Sequence, residues 1–251
     1  MILNFNFLLS ILFMLTGSST TAEANLSKAV EFKQAKALYT THITTLYDEM
    51  ELEEYDLNPE VFEKAVTGFY NLKSKGELDE TRDIITIIDY TKPSAEKRFY
   101  TIDLEKKEVL FHTYVAHGMR SGGEESTSFS NVVNSNQSSI GFIVTGETYH
   151  GIRGYSLRLD GKDAGYNSNV RGRAVVIHKS DKVNERWAKE YGMVGRTLGC
   201  PAVPTELNDT IINTIKGKTM LFNFYDDANY LTSTNNLDEF TAIKEFLRFS
   251  V

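Results

Sequence analysis

Cys200 is the only cysteine in a chain of 251 residues. It sits in the stretch Gly195-Arg196-Thr197-Leu198-Gly199-Cys200-Pro201-Ala202-Val203, and upstream of it the apolar run Arg173-Ala174-Val175-Val176-Ile177 ends at His178. A thiol and an imidazole are the pair that acyl transfer uses, the sulfur as nucleophile and the ring as its base. Glycine before the cysteine and proline after it disfavour both helix and central strand, so the thiol is expected on a constrained turn. Gly199 leaves room for a carbonyl to approach the backbone, and the N–H groups of Gly199 and Cys200 are candidate oxyanion donors, since Pro201 has none. The competing readings of a lone cysteine are a buried inert thiol and a disulfide between chains. Among the other histidines, His42 falls in a helix, His112 in a strand and His150 beside a glycine turn. His117, which opens a polar stretch as His117-Gly118, is the other serious candidate.

These residues need a scaffold. Residues 25–80 read as helical: Asn58-Pro59 supplies a cap and a first-turn proline, and Val61, Phe62, Ala65, Val66, Phe69 and Leu72 recur at helical spacing until Gly76. From Asp83 the period falls to two, with strands expected at 84–90, 98–103 and 109–116, paired in antiparallel sequence. Residues 117–139 are rich in Gly, Ser and Asn and too long for a simple connection, which suggests a lid over the site. Further strands are expected at 140–149, 155–159, 173–178 and 219–225. Helices are expected over 183–190, over a segment capped by Thr205 and ending at Gly217, and over 237–249. The architecture is therefore mainly β, an α+β chain, with flanking helices and a helical N-terminal segment.

Composition narrows the partners. With 27 Lys and Arg against 34 Asp and Glu the net charge is −7, and no basic stripe offsets it, so nucleic acid is not expected. No metal-ligand spacing or phosphate loop appears, so neither metal nor cofactor is expected. The first residues form a short apolar run followed by Ala22-Glu23-Ala24, the layout of a secretory signal cleaved after Ala24. The run is shorter than the ~20 residues of a span. No stable span is expected in the mature chain, and its location would be periplasmic or secreted. No cysteine follows the run, which argues against a lipoprotein.

The pair Val175-Val176-Ile177-His178 and Thr197-Leu198-Gly199-Cys200 resembles the signature of the L,D-transpeptidases of the YkuD type. Further stretches resemble the murein L,D-transpeptidase catalytic domain family: Val115-Ala116-His117-Gly118, Phe129-Ser130-Asn131, Ser138-Ser139-Ile140-Gly141-Phe142, Gly154-Tyr155-Ser156-Leu157-Arg158-Leu159 and Gly199-Cys200-Pro201-Ala202-Val203. The resemblance implies a YkuD-type β-sandwich or barrel over 81–225, a helical segment before it and a tail over 226–251. It implies Cys200 as nucleophile, His178 as base and the carbonyl of Lys179 as the group fixing the imidazole tautomer. Gly199 and Thr197 belong to the same turn, and Arg196, Arg173, His117 and Ser139 become candidate substrate contacts. Two departures stand out. Pro201-Ala202 replaces the usual apolar residue followed by Arg or Asn, and Lys179 replaces a small residue. Arg173 and Arg196 are the candidates to supply the missing cation.

The implied activity is transfer of an acyl group from a peptidoglycan stem peptide through a thioester. Hydrolysis of the same intermediate would make the chain an L,D-carboxypeptidase. The rivals are a catalytically silent peptidoglycan-binding module and a secreted thiol peptidase.

Overall fold

The computed structural model of the protein describes residues 28–249. The expected signal segment through Ala24 lies outside the described residues. Helix α1 covers 28–49, and the chain divides into two compact units, the first ending at Thr44 and the second beginning at Thr45. The second unit carries the site.

Helix α2, Pro59–Ser74, begins where the sequence signals it: Asn58 accepts a hydrogen bond from the Glu60 N–H through its side chain (2.8 Å), and proline occupies the first turn. Gly76, with φ +66°, follows the end of the helix. The apolar face of α2 is fully buried. Gly68 lies on it for a steric reason, because a Cβ there would sit 2.0 Å from Cε1 of the buried Phe142 ring. Phe142 in turn stacks on Phe222 at 4.1 Å between centroids, so the helix is seated on a rigid aromatic pair.

The sheet has eight strands: β1 (Ile84–Asp89), β2 (Phe99–Asp103), β3 (Glu108–Thr113), β4 (Gly141–Gly151), β5 (Gly154–Gly161), β6 (Val176–Ser180), β7 (Ala202–Pro204) and β8 (Met220–Phe224). Their order is β3-β2-β1-β8-β4-β5-β6-β7. The first three pair antiparallel in succession, as the alternation predicts. The pairs β1/β8 and β6/β7 are parallel, and the others are antiparallel. Just beyond β3, Ala116 bridges to Ala202 of β7, its N–H donating to the Ala202 carbonyl at 2.9 Å. The two ends of the sheet thus meet, giving the nearly closed barrel expected from the sequence. Ile88, Phe99, Val115, Ile143, Leu157, Ile177, Val203 and Leu221 are among the buried residues of its core.

Helices α3 (Glu185–Tyr191), α4 (Asn208–Ile215), α5 (Ala228–Ser233) and α6 (Glu239–Phe249) complete the second unit. Two expectations need correction, and one helix was not anticipated. Thr205 does not cap α4: its hydroxyl donates to Asp181 Oδ1 (2.5 Å), and Leu207 stands at the cap without a side-chain bond. The strand expected from Arg173 begins only at Val176, because the Arg173 and Ala174 N–H groups close turns onto Asn169 and Arg171 and Ala174 adopts φ +52°. Helix α5 escaped notice because its six residues, ANYLTS, are too few to show a period.

The long segment 117–139 is fastened along its length rather than left as a hinged cover. Arg173 donates from Nη1 to Ser130 O (2.5 Å) and Ser139 Oγ (2.6 Å), and from Nη2 to Ser135 Oγ (3.1 Å) and Gln137 O (2.6 Å). At the other end the buried Arg98 donates to His117 Nδ1 at 2.7 Å. Arginine cannot accept, so Nδ1 is the bare nitrogen and His117 is the neutral Nε2–H tautomer. Burial, and then the charge of Arg98, push its pKa down to about 4.

Two tests follow. Gly68→Ala should lower unfolding free energy by about 2 kcal/mol in urea titration, since the overlap with Phe142 outweighs the gain in helix propensity; an unchanged or raised midpoint contradicts the packing. The unfolded chain takes up the His117 proton near pH 6.5, and the folded one only near 4. The stability held by the neutral ring at higher pH should therefore be lost as pH falls from 6.5 toward 4, by roughly 3 kcal/mol. His117→Gln should flatten that part of the pH–stability curve, and an identical curve refutes it.

Candidate active site

Strands β6 and β7 run parallel with His178 opposite Ala202 and Ser180 opposite Pro204. Neighbouring residues in a parallel pair point to the same face, and the side-chain period is two. Cys200 stands two residues before Ala202, outside the strand, so its turn leads directly into the residue that pairs with His178. His178 is buried and Cys200 half-buried.

The cysteine turn is held from inside. Thr197 Oγ1 donates to the Cys200 carbonyl (2.7 Å) and accepts from the Gly199 N–H (3.1 Å), while the Thr197 N–H donates to the His117 carbonyl (2.9 Å). The Met119 N–H returns a bond to the Thr197 carbonyl at 2.7 Å. Gly199 has φ +120°, and a Cβ there would meet the Gln137 carbonyl at 2.7 Å. Glycine is thus required, though by the packed loop rather than by an approaching substrate. Because the Gly199 N–H is engaged with Thr197, the turn leaves the Cys200 N–H as its candidate oxyanion donor.

His178 Nδ1 lies 2.8 Å from the carbonyl of Lys179. A carbonyl only accepts, so Nδ1 carries the hydrogen and Nε2 is left with its lone pair. Burial lowers the His178 pKa, the Lys179 carbonyl opposes this, and the charge of Arg153 lowers it further. Burial raises the Cys200 thiol, against the Val176 N–H and the charges of Arg173 and Arg153. The Cys200 sulfur lies 3.8 Å from the Ala174 carbonyl, which the left-handed turn at Ala174 presents to it. Both shifts favour the uncharged forms, whereas activation by a neighbouring imidazolium would have required the opposite shifts.

The remaining candidates separate. Lys179 is exposed, and only its carbonyl faces His178. Arg196 is exposed and donates to the Gly122 carbonyl at 3.1 Å. His117 and Ser139 are fully buried and, with Arg173, bond into the frame of the 117–139 segment, the Nε2 of His117 being left without a hydrogen-bond partner among the described residues. Arg153 was not singled out from the sequence, and only its place between Gly151 and Gly154 in a hairpin turn could have marked it. No group of three or more His, Cys, Asp or Glu among the described residues could hold a metal ion, and no helix among them is long and apolar enough to cross a membrane.

A family model described as the L,D-transpeptidase catalytic domain matches residues 53–224, which takes in α2 as well as the whole sheet. Among solved structures, the chain is similar to an L,D-transpeptidase from Mycobacterium smegmatis (9% identity, TM-score 0.37), covering 57% of this chain and 59% of that one. It is also similar to the helical cell shape determining protein Pgp2 from Campylobacter jejuni (12% identity, TM-score 0.37), covering 64% and 57%. A third similar structure, Bd1075 from Bdellovibrio bacteriovorus, has 12% identity and a TM-score of 0.37, with 69% and 58% covered. The chain spans about three fifths of the length of these solved structures. No curated protein matches it. With more than two thirds of its residues inside that match, and with the barrel and cysteine turn described above, the chain belongs to the L,D-transpeptidase catalytic domain family.

Proposed function

We propose that the protein is an exported cysteine acyltransferase that acts on peptidoglycan stem peptides, with Cys200 as nucleophile and His178 as base. What supports this reading is the parallel pairing of His178 with Ala202, two residues past Cys200, together with the Nδ1–Lys179 bond that leaves Nε2 with its lone pair.

Because thiol and imidazole are both neutral at rest, the proton moves as the bond forms. The sulfur attacks the carbonyl that joins the diaminopimelate centre to the terminal D-alanine, and Nε2 takes the thiol hydrogen. The oxyanion is met by the Cys200 N–H. The C–N bond breaks, D-alanine leaves with the proton from Nε2, and a thioester remains on Cys200. An amine of a second stem then gives its proton to Nε2 as it displaces the thiolate, which is reprotonated. Water in place of that amine gives carboxypeptidase activity by the same steps. Residues 81–225 would form the catalytic core, and export would follow cleavage near Ala24 to a periplasmic or secreted location. A thiol with no second cysteine to trap it suits that compartment.

Mass spectrometry of the protein incubated with a tetrapeptide stem or a carbapenem should find one adduct, on Cys200, and Cys200→Ala should abolish both adduct and D-alanine release. An adduct-free protein that still binds stem peptide would favour the silent binding module. His178→Ala should slow thioester formation by about 10²- to 10⁴-fold without loss of folding. The rate should fall on the acid side with a midpoint below the ordinary histidine value of about 6.5, since only the unprotonated ring accepts the thiol hydrogen. An acid limb centred above 7 would contradict the buried, neutral base.

A further inference from the structure

The cysteine turn presents three peptide groups in a row, and one side chain fixes the outer two. Thr197 Oγ1 accepts from the Gly199 N–H (3.1 Å) and donates to the Cys200 carbonyl (2.7 Å). The peptide between them joins the Gly199 carbonyl to the Cys200 N–H, the candidate oxyanion donor. Glycine on its N-terminal side takes backbone angles closed to other residues, and here has φ +120°. The carbonyl and the N–H of a trans peptide point in opposite directions, so rotation of this one plane would turn the Cys200 N–H away from the site.

Ser138 holds the other end of that plane. Its hydroxyl donates to the Gly199 carbonyl at 3.4 Å, while its Oγ accepts from the Gly118 N–H at 3.0 Å. The serine is itself tied at both backbone groups: its N–H donates to Ser121 Oγ (2.8 Å), and its carbonyl accepts from the Ser130 N–H (2.9 Å). Ser121 and Ser138 are fully buried, which keeps water from competing for the bond. The Gln137 carbonyl also packs against Gly199, but an acceptor cannot hold a carbonyl. Ser139, the serine nominated from the sequence, turns its hydroxyl to the Ser130 carbonyl instead.

We infer that Ser138 is a positioning residue for acyl transfer, holding the peptide between Gly199 and Cys200 so that the Cys200 N–H is aimed at the oxyanion. This rests on the acyl-transfer reading above. As charge develops on the attacked oxygen, the Cys200 N–H is drawn to it and the Gly199 carbonyl of the same peptide becomes a stronger acceptor. The long resting contact with Ser138 then tightens, so the bond is worth more in the tetrahedral state than in the free protein.

The test compares two reactions of the same sulfur in the full chain. Acylation by p-nitrophenyl acetate passes through a tetrahedral oxyanion, whereas alkylation by iodoacetamide displaces iodide from a saturated carbon and forms none. Ser138→Ala should slow acylation of Cys200 by about tenfold, the worth of one hydrogen bond, and leave alkylation within about twofold of wild type. Ser138→Thr, which keeps the hydroxyl, should recover most of the acylation rate. Ser121→Ala disturbs the same frame without removing that hydroxyl, and should leave the ratio of the two rates unchanged. The assignment is overturned if Ser138→Ala slows both reactions in proportion, or neither, or if Ser121→Ala gives the same selective loss. A tetrapeptide stem as acyl donor separates the inference from the reading beneath it. If the ester shows the selective loss while wild type forms no thioester from the stem, the positioning role stands and the peptidoglycan reading fails. If wild type forms that thioester and Ser138→Ala forms it equally fast, the reading stands and the positioning role fails.

Discussion

Ala202 is held from two sides, and the geometry of the site follows from that constraint. On one side it pairs with His178 across the parallel β6/β7 ladder, and on the other its carbonyl accepts the Ala116 N–H at 2.9 Å. The first contact sets His178 beside the strand that follows the cysteine turn. The second joins the end of the sheet that begins at β3 to the end that finishes at β7, so that closing the barrel and registering the site are one event. Three residues of strand carry this load, and all three are buried, which keeps water from competing for their backbone groups.

The cysteine turn gains its rigidity from the segment that crosses behind it. Thr197 and Gly118 form a backbone bridge, Gly199 presses on the Gln137 carbonyl, and Arg173 ties that same carbonyl to the start of β6. Serine, asparagine and glycine in 117–139 suit this role because their short side chains and free backbone groups meet arginine and main-chain donors at close range. Such a frame holds the thiol without charging it. A half-buried sulfur and a buried imidazole both resist ionisation, so the pair keeps its proton until a carbonyl arrives. A neutral thiol is also slower to oxidise than a thiolate.

Much of the fold was legible in the chain. The β1–β2–β3 meander showed as alternation, α2 as a capped helical period, and the barrel class through its motifs. The reading failed where local signals were weak or had rivals. Val175-Val176-Ile177 looked like strand from Arg173 onward, yet a left-handed Ala174 delays the strand, a conformation that no residue type announces when it is not glycine. Thr205 had the form of a cap and found Asp181 instead.

By itself, the sequence determined which chemistry was available: one thiol on a Gly-Cys-Pro turn, one histidine closing an apolar strand, and an acidic surface. Residue types fix what an atom can do, and those choices are local. Only the tertiary structure decided which of the nominated side chains serve as frame and which stay exposed. Arg173, His117 and Ser139 turned inward because the 117–139 segment needed donors and acceptors, while Arg153 was left exposed in the turn between β4 and β5. Those outcomes depend on strand register, a property of pairs of segments far apart in the chain, and register is settled when the barrel closes.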